Sequence, residues 1–338
     1  VLDAKARGKY AMKTVQASFR TKKTVIASIP AFHISCEIKD GNLRYPSLPE
    51  PVKQIFLKMQ ADCPDANYRH AVFRIDSLHA GMLNNYIRGN ARVNAEKDFP
   101  LEGSLQGLVN LGEIQQCYPL DSMQLSGILR FDLNTSGKYA PEHHLFPKTS
   151  GKFLLENAMV RTKYYPHPVE KINISAEAND DRGTMSDLTL KISKASLEFE
   201  GRPFYFRGSF SNFDDIRYDI AAKGNLDIGR IYQVFSRKDL GITGAIRANV
   251  SFRGKQSYAT AGRYEQLNNT GTLDIKNLRL RHEYFPKPFV ISQGRFHFDR
   301  DKMWFDQFIA RYGSTDLQLD GFLQNAINYA LGGSKTLS

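Results

Sequence analysis

The sequence lacks several features that would place it in common classes of protein. No run of about 18 apolar residues, the length that a helix needs to cross a bilayer, occurs in its 338 residues. Its three cysteines, Cys36, Cys63 and Cys117, are too few for a disulfide scaffold and have no CxxC spacing. They are expected to be small buried apolar residues, although a bridge between Cys36 and Cys63 stays open.

The beginning of the chain also lacks targeting features. It reads Val1-Leu2-Asp3, with neither an initiator methionine nor the charged and apolar regions of a signal peptide. We therefore expect the chain to be a piece of a longer protein, with any anchor or targeting segment outside it.

Catalytic and metal-binding motifs are missing from the sequence. It contains no GxSxG nucleophile elbow and no HExxH zinc motif. The segment at residues 332–336 has Ser334 where a phosphate-binding loop requires the glycine before its lysine. The pair His143-His144 has no third ligand at a metal-binding spacing. The sequence therefore predicts no enzyme, no metal and no cofactor.

Charge is plentiful and mostly positive, with a formal net charge of +11. Such a charge favours contact with polyanions, which include nucleic acid, anionic lipid headgroups and lipopolysaccharide. It is equally compatible with a solvated basic surface. The lysines and arginines are spread along the chain without a block of like charge, so a nucleic-acid partner is not expected.

The sequence repeats itself. One set of glycines recurs at an offset of 117 (224 − 107): Gly107 and Gly224, Gly112 and Gly229, Gly127 and Gly244, Gly137 and Gly254. A second set recurs at an offset of 120 (277 − 157): Asn157 and Asn277, Arg161 and Arg281, Pro166 and Pro286. Repeats of this length are too long for a helical solenoid or a propeller blade. The pattern predicts four parts, namely the end of a preceding repeat, two complete repeats and an incomplete one: residues 1–33, 34–150, 151–270 and 271–338.

Alternation of apolar and polar residues predicts β-strands through most of the chain. Lys276 and Asn277 separate two alternating stretches whose phase differs by one residue. An extra residue turns all later side chains to the other face unless the strand absorbs it locally, so the pattern is typical of a β-bulge. The same slip recurs at Glu156 and Asn157, which predicts a sheet that is curved by a repeated device.

Helical spacing of apolar residues is rare. It occurs at residues 228–235 and at the equivalent residues 111–118, which Pro119 ends. Residues 325–331 are a further candidate helix. The sequence thus predicts an all-β fold, an elongated, curved antiparallel meander with one short helix and about ten strands per repeat. A twisted sheet of that length cannot stay flat, so we expect it to curl into a trough.

The order of these motifs resembles one family. The segment from Gly271 to Asn325, with Asn277-Leu-Arg-Leu and Asp316-Leu-Gln-Leu-Asp-Gly, resembles the carboxy-terminal module of AsmA-like proteins. The segments Asn110-Leu-Gly-Glu-Ile and Ile228-Gly-Arg-Ile, each before a glycine-containing strand, resemble the short helix of that module. The resemblance covers most of residues 34–338 and indicates a divergent, large member of the AsmA/TamB-type β-groove proteins.

The resemblance implies a function in the envelope of Gram-negative bacteria. A protein of this family would lie in the periplasm, held at the inner membrane by an amino-terminal helix outside this chain. It would carry phospholipid or another acyl lipid between the inner and outer membranes without catalysis, and so support outer-membrane assembly. Its partners would be lipid, membrane and other envelope proteins. The alternative from another class is a structural or adhesive β-repeat protein with a filled core and no lipid.

Candidate lipid-contacting residues are the apolar residues that alternate along one face of the predicted strands. They are Phe153, Leu155, Val160, Leu273, Ile275, Leu278, Leu280, Leu317 and Leu319. The alternative is that these residues face the core of an ordinary sandwich.

Overall fold

The structure is a computed structural model that describes most of the chain. The described residues are 1–18, 21–44, 50–117, 120, 122–234, 241–261, 263, 266–282, 285–300 and 302–324. The candidate helix at residues 325–331 and the segment at 332–336 lie outside them.

Nearly all of the described chain is β-strand. The strands are, in chain order, β1 Leu2–Arg7, β2 Ala11–Ser18, β3 Thr21–Ser28, β4 Ala31–Leu43, β5 Val52–Cys63, β6 Val72–Met82, β7 Asn85–Asn94, β8 Pro100–Asn110, β9 Met123–Lys138, β10 Lys148–Thr162, β11 Tyr165–Asp180, β12 Thr189–Phe199, β13 Arg202–Ser211, β14 Arg217–Asp227, β15 Gly241–Lys255, β16 Asn268–His282, β17 Phe285–Asp299, β18 Lys302–Tyr312 and β19 Thr315–Gln324. The helices are α1 Leu111–Cys117, α2 Ile228–Val234 and α3 Gln256–Thr260, with 3₁₀ turns at Tyr68–His70 and Pro141–His143.

Seventeen strands belong to one sheet, and β2 pairs with β3 in a separate hairpin. The predicted all-β class and antiparallel meander are therefore confirmed. Helices α1 and α2 occur where helical spacing predicted them, whereas α3 was not predicted.

The chain separates into two compact units. Unit 1 comprises Val1–Tyr118, Arg130–Lys152 and Asn179–Met185. Unit 2 comprises Pro119–Leu129, Phe153–Ala178 and Ser186–Ser338. Within unit 1, β1 pairs with β4, and β4 to β8 pair in sequence order. Within unit 2, β12 to β19 pair in sequence order.

The secondary structure recurs at the offsets of the sequence repeat. Helix α2 starts 117 residues after α1 (228 − 111), and β12 starts 117 residues after β6 (189 − 72). Strand β16 starts 120 residues after β10 (268 − 148). One repeat contains six strands and a helix, as in β4–β9 with α1 and β10–β15 with α2. The expectation of about ten strands per repeat is wrong because the strands are longer than assumed, up to 16 residues in β9 and β11.

The predicted bulge at Asn277 is confirmed. Ala245 pairs with Lys276 and Thr243 with Arg279, so Asn277 and Leu278 lie opposite the single residue Gly244. Asn277 takes the left-handed conformation with φ of 51°, which asparagine tolerates better than most residues. The bulge absorbs the extra residue, and later side chains keep their face.

Glycine is required opposite the bulge. Gly244 has φ of +124°, and a Cβ there would lie 2.5 Å from the carbonyl oxygen of Asn277. The equivalent Gly127 has φ of +116°, and its Cβ would lie 2.5 Å from the Cα of Ala158. Asn157, next to Ala158, has φ of 48°. The same glycine–asparagine device thus recurs at both predicted positions.

Candidate functional site

Strands β12–β19 of unit 2 have one apolar face. Residues that pair directly across a ladder project to the same side of a sheet. One row of direct partners crosses all eight strands without a polar side chain: Leu197, Phe204, Gly224, Ala248, Leu273, Phe296, Phe305 and Gly321. The next row toward the helix end carries charge, with Arg247 paired to Asp274 and Asp274 to Arg295. The two faces of this sheet region therefore differ sharply in polarity.

Strands β1 and β4–β8 of unit 1 also have an apolar face. One row of direct partners crosses these six strands: Ala4, Ile34, Ala61, Phe73, Val93 and Leu101. Several large side chains on this face are exposed to solvent. Phe73 is 50% exposed and Ile87 is 38% exposed. Burial of these apolar side chains in the chain itself is thus incomplete, which leaves apolar surface available to a ligand.

Two glycines leave gaps between the larger side chains on the apolar face of β7 and β8. Gly89 lies opposite Leu105, and Gly103 lies opposite Ala91. A Cβ on Gly89 would lie 2.2 Å from the carbonyl oxygen of Ser104, so no larger residue fits there without moving the backbone. At the offset of 117 the two glycines correspond to bulky residues of unit 2, Phe206 and Ile220. At these two positions the apolar side chains therefore project less far from the sheet in β7–β8 than in β13–β14.

The apolar face is filled at β16–β18. A buried cluster consists of Ile275, Ile291, Phe296, Phe308 and Ala310. The ring of Phe296 packs edge-on against Phe305 at 5.1 Å and against Phe308 at 5.4 Å, measured between ring centroids. Such T-shaped contacts add to the burial of apolar area. The protein's own side chains occupy the surface here.

Six of the predicted lipid-contacting residues share one face in unit 2. The register places Leu273, Ile275, Leu278, Leu280, Leu317 and Leu319 on the apolar face. Ile275 is 7% exposed in the buried cluster, and Leu273, Leu278 and Leu317 pack against it. Leu280 is half-buried and Leu319 is exposed. Four of the six residues therefore line the filled part of the face, and Leu280 and Leu319 lie outside the cluster.

The other three predicted residues lie on β10. Phe153 is exposed, and Leu155 and Val160 are half-buried. Whether any of the nine contacts lipid stays a prediction.

Sequence reasoning missed the exposed apolar face of β4–β8. Its exposed large residues include Phe73, Ile87 and Leu105. The signal was present at residues 101–107, where Leu, Gly, Leu and Gly alternate with polar residues. Glycine at apolar positions weakens the appearance of alternation, although it occupies the same face as a larger apolar residue.

Each repeat helix is fixed to a hairpin turn by a carboxylate. In unit 1 the carboxylate is Glu113 of α1, which accepts hydrogen bonds from the Asn84 backbone N–H at 3.1 Å, from Asn84 Nδ2 at 2.6 Å and from Asn85 Nδ2 at 2.9 Å. The hydrogen bonds from Asn84, followed by that from Asn85, lower the pKa of Glu113.

In unit 2 the equivalent helix position is Arg230 (230 − 113 = 117), and the carboxylate has moved to the turn. Glu200 accepts a hydrogen bond from Arg230 Nη1 at 2.6 Å and one from the Tyr165 hydroxyl at 2.5 Å. Burial alone would raise the pKa of Glu200, but these two hydrogen bonds and the charge of Arg230 outweigh it and lower the pKa. The contact between helix and turn is thus kept, with the carboxylate on the turn instead of on the helix.

Neither a disulfide nor a metal cluster is present in the described part of the chain. Cys36 and Cys63 are free thiols, so the bridge that the sequence left open is not formed. Within the described ranges, no three His, Cys, Asp or Glu residues are grouped to hold a metal ion. The same ranges hold no helix that is long and apolar enough to span a membrane.

Comparison with family models, with curated proteins and with solved structures finds no match to this chain.

Proposed function

We propose that this chain binds the acyl chains of lipids along the apolar faces of its sheet and carries phospholipid between membranes without catalysis. The observation that supports the proposal is the apolar face of β4–β8, where Phe73, Ile87 and Leu105 stay exposed. A face that continues from strand to strand, with no polar side chain in the row of direct partners from Ala4 to Leu101, suits a long unbranched ligand better than a compact one.

The energetics favour such a ligand. Each methylene removed from water contributes about 0.8 kcal/mol, so two acyl chains of about sixteen carbons contribute roughly 20 kcal/mol before entropy and headgroup costs. A face that is open along one side leaves the headgroup in water. Transport then requires only many positions of similar affinity, and no reacting group.

The proposed location follows the family resemblance of the sequence. It places the protein in the periplasm of a Gram-negative bacterium, anchored at the inner membrane by a segment outside this chain. Lipid, membrane and other envelope proteins are the proposed partners.

A second candidate function is that of a structural or adhesive repeat protein with a filled core. The cluster around Phe296 and Phe308 favours it, because there the chain fills its own apolar face. The two candidates differ in whether the purified protein carries lipid.

Lipid extraction and native mass spectrometry of the purified chain test the proposal. The chain is produced in a Gram-negative host, and bound phospholipid is quantified per protein molecule. Lipid transport predicts bound phospholipid, whereas lipid-free protein that also fails to take up fluorescent phospholipid from vesicles would contradict it and favour the structural candidate.

A matched pair of variants locates the binding face. Ile87→Glu places a charge on the apolar face of β7, and Ile309→Glu places one on the polar face of β18, where Ile309 pairs with Gln293 and Gln318. Both isoleucines are 38% exposed. We expect Ile87→Glu to remove most of the bound lipid and Ile309→Glu to leave it unchanged. An equal loss in both variants would show that lipid binds without preference for the apolar face.

A further inference from the structure

A cavity of about 750 Å³ lies against the polar face of unit 2. Its lining includes Gly244 and Asn277 of the bulge, together with Gln307, which has φ of 50°. At Gln307 the register of β18 and β19 shifts, between Phe305 and Phe308. Because bulges bend a strand and increase its twist, irregularities at one level of neighbouring strands give this part of the sheet a concave polar surface.

A ladder of polar residues crosses the cavity. The direct partners on five successive strands, β14 to β18, are Asn225, Arg247, Asp274, Arg295 and Asp306. Arg247 donates from Nε to Asn225 Oδ1 at 3.0 Å, and Arg295 donates from Nε to Asp274 Oδ1 at 2.7 Å. Both bonds use Nε and fix the plane of the guanidinium, so the two terminal nitrogens of each arginine remain as donors.

Positive charge exceeds negative charge in the lining. Five cationic side chains line the cavity against three carboxylates, Asp227, Asp274 and Asp306, a net charge of +2 (5 − 3). The cations are Arg202, Arg230, Arg247, Lys276 and Arg295. Arg230 is already paired with Glu200 and Asp227. Arg202 and Lys276 have no ion pair within the described residues, so they are available to an anionic ligand.

From this geometry we infer that the cavity binds a phosphate-bearing ligand. Oriented guanidinium groups recognise phosphate through paired N–H donors, and Arg247 and Arg295 lie two strands apart, about 10 Å. The volume is in the range of sites for small ligands rather than for a bare ion. The phosphate could belong to a soluble phosphate ester or to a lipid headgroup, and its recognition would be the same. This site lies on the polar face and does not depend on the proposed acyl-chain binding.

Binding of defined phosphates to the full chain tests the inference. Glucose 1-phosphate is titrated by calorimetry, and vesicles of phosphatidylcholine with or without phosphatidic acid are tested by co-sedimentation. Binding of glucose 1-phosphate would assign the cavity to soluble esters, and binding of phosphatidic acid vesicles alone would assign it to headgroups. Failure of both ligands to bind would overturn the inference.

Variants tie the binding to the cavity. Arg247→Gln/Lys276→Gln removes two charges from the lining, whereas Arg217→Gln/Lys223→Gln removes two from exposed positions of the same face outside it. We expect the first pair to weaken binding about tenfold and the control pair less than about twofold. Equal weakening would mean that the general positive charge of the surface attracts the phosphate, and the inference would be wrong.

A third variant is expected to change the affinity for phosphate in the opposite direction. Asp306→Asn removes a carboxylate from the lining and should tighten phosphate binding about threefold, because the carboxylate repels an anion. This test does not rely on a loss that misfolding could mimic. Unchanged or weaker binding by this variant would count against the cavity.

Discussion

The apolar faces of β4–β8 and β16–β18 follow the same alternation of apolar and polar residues but differ in how far their side chains are buried. On β4–β8, Phe73 is exposed, and Gly89 and Gly103 occupy positions that carry Phe206 and Ile220 in the next repeat. On β16–β18, Phe296 and Phe308 fill the surface with their own rings. The comparison teaches that alternation fixes which face is apolar, while the size of the residues on that face decides whether it stays open.

Truncation of an aromatic ring should separate the two regions most clearly. We expect Phe296→Ala to lower the free energy of unfolding by about 3 kcal/mol, because it opens a cavity in the buried cluster. Phe73→Ala should cost less than about 1 kcal/mol, since this residue is already 50% exposed. Urea unfolding measures both, with the fluorescence of Trp304, the only tryptophan, as a probe on β18. Similar losses of unfolding free energy in the two variants would show that the two faces are buried to the same extent.

The bulge offers a second test in unit 2. Gly244→Ala forces a Cβ to 2.5 Å from a carbonyl oxygen at φ of +124°, and we expect a loss of about 2 kcal/mol. Gly201→Ala is the control, because it has φ of +72° and no atom within 4 Å of its added Cβ. It should cost only about 1 kcal/mol, the conformational term alone. Thermal unfolding that ranks the variants in the reverse order would contradict the role assigned to Gly244.

The smallest expected effect concerns pH and the contacts between helix and turn. Because the folded-state pKa of Glu200 is lowered, its contribution to stability is complete above the ordinary glutamate pKa of about 4.3 and is lost as pH falls through the folded value. The wild type should therefore lose more stability between pH 6 and pH 3 than Glu200→Gln.

The equivalent contact of unit 1 gives the matched variant. Glu113→Gln should change the pH dependence in the same direction, since the pKa of Glu113 is also lowered. The effect should be smaller, because the hydrogen bonds that lower this pKa come from Asn84 and Asn85, whereas the charge of Arg230 contributes at Glu200. Parallel pH profiles for the wild type and both variants, from urea unfolding at each pH, would show that neither carboxylate acts as described.

Much of the fold could be predicted from the sequence because strands and bulges are local. The phase slip at Lys276-Asn277 predicted the bulge, since only one extra residue needs to be recognised. Helix α2 was likewise predictable from the spacing of its apolar residues. These features depend on neighbours in the chain, and each pattern occurs in both repeats, so it can be recognised twice.

The state of the apolar face could not be predicted in the same way. Ile275 has the same alternation as Ile87, yet one is buried and the other is exposed. Each lies directly opposite a glycine, Gly294 for Ile275 and Gly107 for Ile87. The difference comes from the rings of Phe296 and Phe308, which belong to the buried cluster around Ile275. Such neighbours depend on register, which alternation alone does not fix. The cavity near Arg247 was missed for the same reason, because the register of five strands brings its residues together.

The number of strands in a repeat has a consequence for how such a chain could lengthen during evolution. Each repeat has six strands, an even number, so in an antiparallel sheet the chain leaves a repeat pointing in the direction needed to begin the next. A tandem duplication of the coding sequence therefore adds a whole repeat without reversing any strand, whereas an odd-stranded insertion would reverse the direction of every later strand in the sheet. Duplication in multiples of about 117 codons is thus the simplest route to a longer protein of this kind.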